Sequence, residues 1–371
     1  MNKKDYNETK KAKTHQYLFN VEFECWALVE DVCLELRDGV RMSMINTQEQ
    51  RLLSKKINAL ALKIDGTTVE RLVFQLYQEL ERAGISIKPK TYLSDGWGCP
   101  NRVPVIGIPF YLVDSKLCSL KSQLTGIEPE DDTEVMMILR HEAGHAFNYA
   151  YCLYKSLKWH KLFGRFSLPY KEQYKVIPFS ARFVRHIPGW YVQKHPDDDF
   201  AETFSVWLTP GSDWRKRYGG TPALAKLLYV DKTVGRYVNK QVVVTRGKLD
   251  MPIEEMTMTL GAWYRKQKKR CRVVLHPILN EDLKRLFPAV EGKLAVDILR
   301  DNRQQLVRDI HFWTGVERQT LIALVDELLE RVRLLKLKIE NDQAVTLMAS
   351  MSVFVTTLVM NYLDRGQFVE V

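Results

Sequence analysis

The five residues His141-Glu142-Ala143-Gly144-His145 constrain this chain more than any other feature. Imidazoles four positions apart project from one face of an α-helix, one turn apart, so both can reach a single metal ion. With a glutamate beside them, this is the spacing at which a carboxylate can take a proton from a water activated by zinc. Asp131-Asp132-Thr133 offers an N-cap, Val135, Met136, Ile138 and Leu139 follow it, and Ala146, Phe147 and Tyr149 come after the motif. The pattern predicts a mostly buried helix, in which paired imidazoles need partners.

Two histidines do not complete a catalytic zinc site, which takes three protein ligands and keeps one position open. Residues 148–155 contain no further histidine, so the third ligand must come from a later element. Pro196 fits the first turn of a second helix, Asp197, Asp198 and Asp199 complement its positive end, and Pro210-Gly211 stops it. Phe200, Phe204, Trp207 and Leu208 form its packing stripe, while Asp198 and Glu202 share a face. One of the two could bind the metal and the other hold a histidine. His160, His186 and His195 have no ligand spacing to the pair and are read as structural.

The remaining chain reads as α+β. An amphipathic helix starts at Gly66-Thr67, carries Val69, Leu72, Val73, Leu76, Tyr77 and Leu80 at helical spacing, and ends at Gly84. A turn-rich loop, Ser94 to Arg102, leads into the apolar run Val103 to Val113, whose Pro104 and Pro109 place it at a sheet edge. Gly164 to His195, with three prolines, reads as a loop wrapping a site. Beyond about residue 240 the pattern is mainly helical, with long apolar runs at Val316 to Ile339 and Gln343 to Leu363. The expected division is an N-terminal extension over 1–45, with apolar runs at Tyr17 to Phe23 and Cys25 to Leu36, a metal-site domain over 46–240, and a helical region over 241–371.

Composition narrows the setting. Six cysteines lie scattered without C-x-x-C spacing, and Met1 to Thr14 is polar, so a reduced, cytoplasmic location is expected. Gln343 to Leu363 is uncharged and long enough to span a bilayer. Its Gln, Ser, Thr and Asn residues make insertion costly, and it is read as a buried C-terminal helix. The net charge is +10, and the one basic cluster, Arg265, Lys266, Lys268, Lys269, Arg270 and Arg272, is read as a solvated helix face. No recognition motif accompanies it, so nucleic acid is not an expected partner.

Further motifs extend the pattern. Ile138 to Ala146 occurs with Gly107-Ile108-Pro109-Phe110-Tyr111-Leu112 upstream, and with Trp190 to Pro196, Asp199 to Phe204 and Trp207-Leu208 downstream. Together these resemble a bacterial family of zinc-binding metallopeptidases over approximately residues 50 to 240. The resemblance implies a zincin-like, gluzincin-type domain holding one Zn2+ ion, with glutamate as third ligand. It also implies that the Val105 to Val113 segment is an edge strand on which an extended peptide pairs. A weaker similarity is to gluzincins of the lethal-factor type, with the pattern Tyr-x6-Glu-x-Phe-Ala-Glu-x-Phe. In that register Tyr191 aids the oxyanion, Asp198 binds zinc and Glu202 supports the site, but an aspartate replaces the first glutamate. Being one methylene shorter, it requires a closer helix approach, or else Glu202 is the ligand. The resemblance implies peptide hydrolysis with Glu142 as general base and a peptide or protein as substrate. The alternative is a non-catalytic, zinc-stabilised binding or regulatory protein, its C-terminal helices docking a protein partner.

Overall fold

The computed structural model describes residues 46–170, 174–238, 240–269, 273, 275–287, 291–340 and 343–369. The predicted extension over 1–45, Cys271, Arg270 and Arg272 lie outside the described residues. The chain divides into two compact units, Met1–Lys55 and Lys56–Val371. In the first, the helix Thr47–Leu53 is closed by a capping box: Asn46 Oδ1 accepts from Glu49 N, and Glu49 Oε2 accepts from Asn46 N.

Among the described residues the second unit has two large hydrophobic cores and a smaller cluster around Trp214. The first is built around a motif helix, Asp132–Ala150, and an acidic helix, Pro196–Leu208. The motif helix opens on the Asp131–Glu134 capping box. Proline at the first position of the acidic helix leaves no N–H unpaired, and its cap is His195, whose Nδ1 accepts from Asp197 N at 3.1 Å. Phe147 stacks on Phe204 at 5.2 Å between the two helices. The helix Thr68–Arg82 covers another side, burying Val69, Leu72, Val73, Leu76 and Leu80 as the spacing predicts. Its buried Glu79 receives Arg140 of the motif helix through two hydrogen bonds, at 2.7 and 2.8 Å.

Two strands, β1 (Lys90–Ser94) and β2 (Val105–Pro109), pair in parallel from Lys90↔Val105 to Ser94↔Pro109. Strand β2 is shorter than the apolar run, because Pro109 ends it and Phe110–Val113 turns as a 3-10 helix. As the prolines require, it lies at an edge. The N–H groups on its outer side are taken within the chain, which narrows the room for the expected pairing with a peptide. Gly107 N donates to Gly98 O at 2.7 Å, Val105 N to Val103 O at 2.9 Å, and Pro109 has no N–H. The loop after β1 has taken the place of an added strand.

The second core gathers Ile127 with residues from Leu275 onward, on the helices Leu279–Leu286, Ala295–Asp301, Arg303–Thr314, Arg318–Leu334 and Ala344–Arg365. A two-residue antiparallel ladder, Lys293–Leu294 with Lys338–Ile339, is too short to leave a period-2 signal. Residues 241–259 hold no α-helix and run along the first core, where Val243 N and Val244 N both donate to Ala150 O. The basic run starts on the helix Leu260–Lys269, where Arg265 and Lys266 are exposed and Trp263 and Tyr264 are buried.

The terminal helix departs from expectation. Leu347, Met351, Val355, Leu358 and Val359 are buried against the second core, but Val345 and Val353 are 83% and 68% exposed on the other face. It is anchored by one stripe rather than buried all round. Among the described residues it alone is long and apolar enough to cross a membrane.

Candidate metal centre

The two central helices bring together His141, Glu142, His145, Asp198 and Glu202, and Tyr191 joins them from the 3-10 helix Tyr191–Gln193. His141 Nδ1 lies 2.9 Å from Glu202 Oε1, and His145 Nδ1 lies 2.9 Å from Asp197 Oδ2. An ionised carboxylate can only accept, so each Nδ1 carries a proton, and in the neutral imidazole each Nε2 presents a lone pair. Those two Nε2 atoms face one another at 3.0 Å, with Asp198 Oδ1 3.6 Å from both. Bare lone pairs at that separation repel unless a proton or cation lies between them. Three donors at zinc's bonding distance of roughly 2.0–2.2 Å and tetrahedral angles would stand roughly 3.3–3.6 Å apart, close to this triangle. His141, His145 and Asp198 could therefore hold a metal ion.

Charge balance points the same way. Glu142, Asp197, Asp198, Asp199 and Glu202 are all buried. Only Asp199 has a lysine or arginine partner among the described residues, Lys226 at 2.5 Å. Burying the other four without a cation is costly. In the metal-free centre the imidazoles supply that charge. Burial alone would lower His141, but its hydrogen bonds with Asp198 and Glu202 outweigh this and raise it to about 9. His145 is raised in the same way, against burial, by Asp197 and Asp198. Burial would raise the Asp198 carboxyl, yet its two histidine partners hold it below the ordinary range. Asp198 Oδ2 and Glu142 Oε2 are buried without a hydrogen-bond partner, as expected of atoms reserved for an ion or a water.

Glu202 is occupied elsewhere. Its Oε1 holds His141, and its Oε2 accepts from His186 N at 2.7 Å and Ile187 N at 2.9 Å. It orients a ligand and anchors the 186–187 backbone. Asp197, which the sequence marked only as a helix-end charge, does the same for His145 and also accepts from Asn148 Nδ2 and the Tyr149 hydroxyl. Its role had no spacing signal, because the contact crosses between helices. His160, His186 and His195 are structural as expected, each directing Nε2 to a backbone carbonyl, of Tyr154, Met137 and Leu168 respectively.

What lets aspartate reach is Gly144. A Cβ there would stand 2.8 Å from Ala201 Cα and 3.0 Å from Ala201 O. The helices thus cross in near backbone contact beside the histidines, compensating for the missing methylene. Gly144→Ala is expected to lower stability by about 1–3 kcal/mol despite alanine's better helix propensity, because backbone must move. It should also weaken metal binding. Thermal unfolding and a chelator competition titration check both, and unchanged metal affinity would show that the close crossing does not set the ligand triangle.

The centre opens into a cleft of about 470 Å³. Trp97, Asn101 and Arg102 of the loop after β1 line it, together with Phe166, Leu168 and Tyr170 of the segment predicted to wrap a site. Tyr191 is half-buried there, its ring 5.7 Å from that of His141, and its hydroxyl has no protein partner among the described residues. Burial, with Asp198 and Glu142 nearby, pushes its pKa well up, so it stays a hydrogen-bond donor. Burial likewise raises the Glu142 carboxyl. Comparison with family models, curated proteins and solved structures finds no match.

Proposed function

We propose that this chain is a zinc-dependent metallopeptidase. The observation that carries the reading is the convergence of two imidazole Nε2 atoms and one carboxylate at the floor of an open cleft that also holds Glu142 and Tyr191. A nitrogen-nitrogen-oxygen donor set with an open side suits zinc. When bound, the ion supplies Lewis acidity toward the scissile carbonyl and the attacking water. His141, His145 and Asp198 would hold it, with Glu202 and Asp197 fixing the imidazole orientations. Glu142 takes the proton of the attacking water on its carboxylate and passes it to the leaving amine. The Tyr191 hydroxyl donates to the oxygen on which negative charge develops. The metallopeptidase resemblance of the motifs agrees with this reading, which rests on the site geometry.

The occupied edge of β2 favours a second reading, a zinc-stabilised protein that binds without cleaving. Metal analysis of the purified chain, followed by a peptide-library screen of the zinc-loaded protein, separates the two. The peptidase reading expects about one zinc per chain and cleavage that Glu142→Gln removes. Zinc binding without any Glu142-dependent cleavage would select the second.

A further inference from the structure

The cleft wall carries a charge that the chemistry above does not use. Arg102 is exposed, lines the cleft and has no carboxylate partner among the described residues. The acids of the cleft, Glu142, Asp197 and Asp198, belong to the metal centre, and the other lining residues are neutral or histidine. Its guanidinium lies 5.5 Å from the Phe166 ring and 5.6 Å from the Tyr154 ring, and those rings stack on each other at 4.3 Å. A cation seated on an aromatic pair is held in place while its N–H fork stays free. The backbone at Arg102 adopts a left-handed φ of 64°, a conformation uncommon for a side-chain-bearing residue and a mark of local constraint.

The distance to His145 is bounded by a chain of rings. His145 lies 6.0 Å from Tyr149, Tyr149 lies 6.2 Å from Tyr154, and Tyr154 lies 5.6 Å from Arg102. An extended peptide advances roughly 3.3–3.6 Å per residue, so Arg102 stands within about five residues of a group at His145. We propose that Arg102 selects substrates by binding a peptide carboxylate, either an acidic side chain or the C-terminal carboxylate, through its fork. The substrate class thus named rests on the peptidase reading, whereas carboxylate binding itself does not.

The test uses full-length, zinc-loaded protein and three quenched-fluorescence peptide sets. One has an internal glutamate at varied positions and an amidated C-terminus, one has neutral side chains and a free C-terminus, and one is neutral and amidated. The expected result is a kcat/KM about tenfold higher for one of the first two sets than for the third. Which set gains identifies the carboxylate. Arg102→Gln, which keeps most of the stem, should reduce the preferred set to the neutral level, and Arg102→Glu should favour lysine-bearing peptides. A second readout is equilibrium binding of the same peptides to Glu142→Gln protein by fluorescence anisotropy, with and without Arg102→Gln. Absence of carboxylate preference, or a preference that survives Arg102→Gln, overturns the proposal. Arg102-dependent carboxylate binding with no hydrolysis sustains the binding role and overturns the peptidase reading instead.

Discussion

Glu142→Gln is expected to keep its metal and lose peptide hydrolysis by about 10²- to 10⁴-fold, the range contributed by a positioned general base. The two side chains have nearly the same shape, but an amide oxygen cannot take up the proton of an attacking water. The substitution also leaves the fold little disturbed, since Glu142 Oε2 has no hydrogen-bond partner to lose. It removes one buried carboxylate from a cluster in which Asp197, Asp198 and Glu202 are also buried, so unfolding should occur at an equal or higher temperature. The measurement pairs kcat/KM on a quenched peptide with zinc content per chain. Full activity with full zinc would remove Glu142 from the mechanism.

Asp198→Ala should weaken zinc binding more than about a hundredfold, because it deletes one of three donors. Glu202→Ala should weaken it by about 10- to 100-fold, as expected when the partner that orients a metal-binding histidine is removed. The two variants differ in a second way. Loss of Glu202 strands the N–H groups of His186 and Ile187, each costing about 1–3 kcal/mol if left unpaired, so this variant should unfold at a lower temperature even without metal. Asp198→Ala strands no backbone donor, and without metal it removes the acceptor shared by the two imidazoles, which then hold less positive charge. Chelator competition and thermal unfolding with and without zinc read out both effects. Should Glu202→Ala abolish binding while Asp198→Ala spares it, the ligand assignment is reversed. In the wild type, removing the ion with a chelator should lower the unfolding temperature, because the buried carboxylates then lose their counter-charge.

Much of this site was legible in the linear order of residues. Local rules act over one or two helical turns, and they located the motif helix with its Asp131 cap, the helix after Thr67, and the acidic helix from Pro196 to its stop before Pro210-Gly211. The wrapping role of the segment after Gly164 was signalled by its prolines and supplies Phe166 and Tyr170 to the cleft. The occupied edge of β2 was not legible, because its partner Gly98 belongs to a loop with no strand pattern. The half-exposed terminal helix was misread for a similar reason: an uncharged helix shows no polar face by which burial could be oriented.

By itself the sequence determined the donor types and their helical faces: two imidazoles one turn apart, and a second helix offering several acids. Which acid faces the two imidazole Nε2 atoms was decided only by tertiary structure. Asp198 and Glu202 lie four apart on one face, so periodicity cannot separate them. Their roles follow from how closely and at what angle the helices cross, and that depends on Gly144 resting against Ala201. The close approach brings the short carboxylate of Asp198 to the two Nε2 atoms and carries Glu202 to the far nitrogen of His141. Helix spacing is set by local backbone geometry, whereas helix separation is set by the packing of side chains distant in the chain.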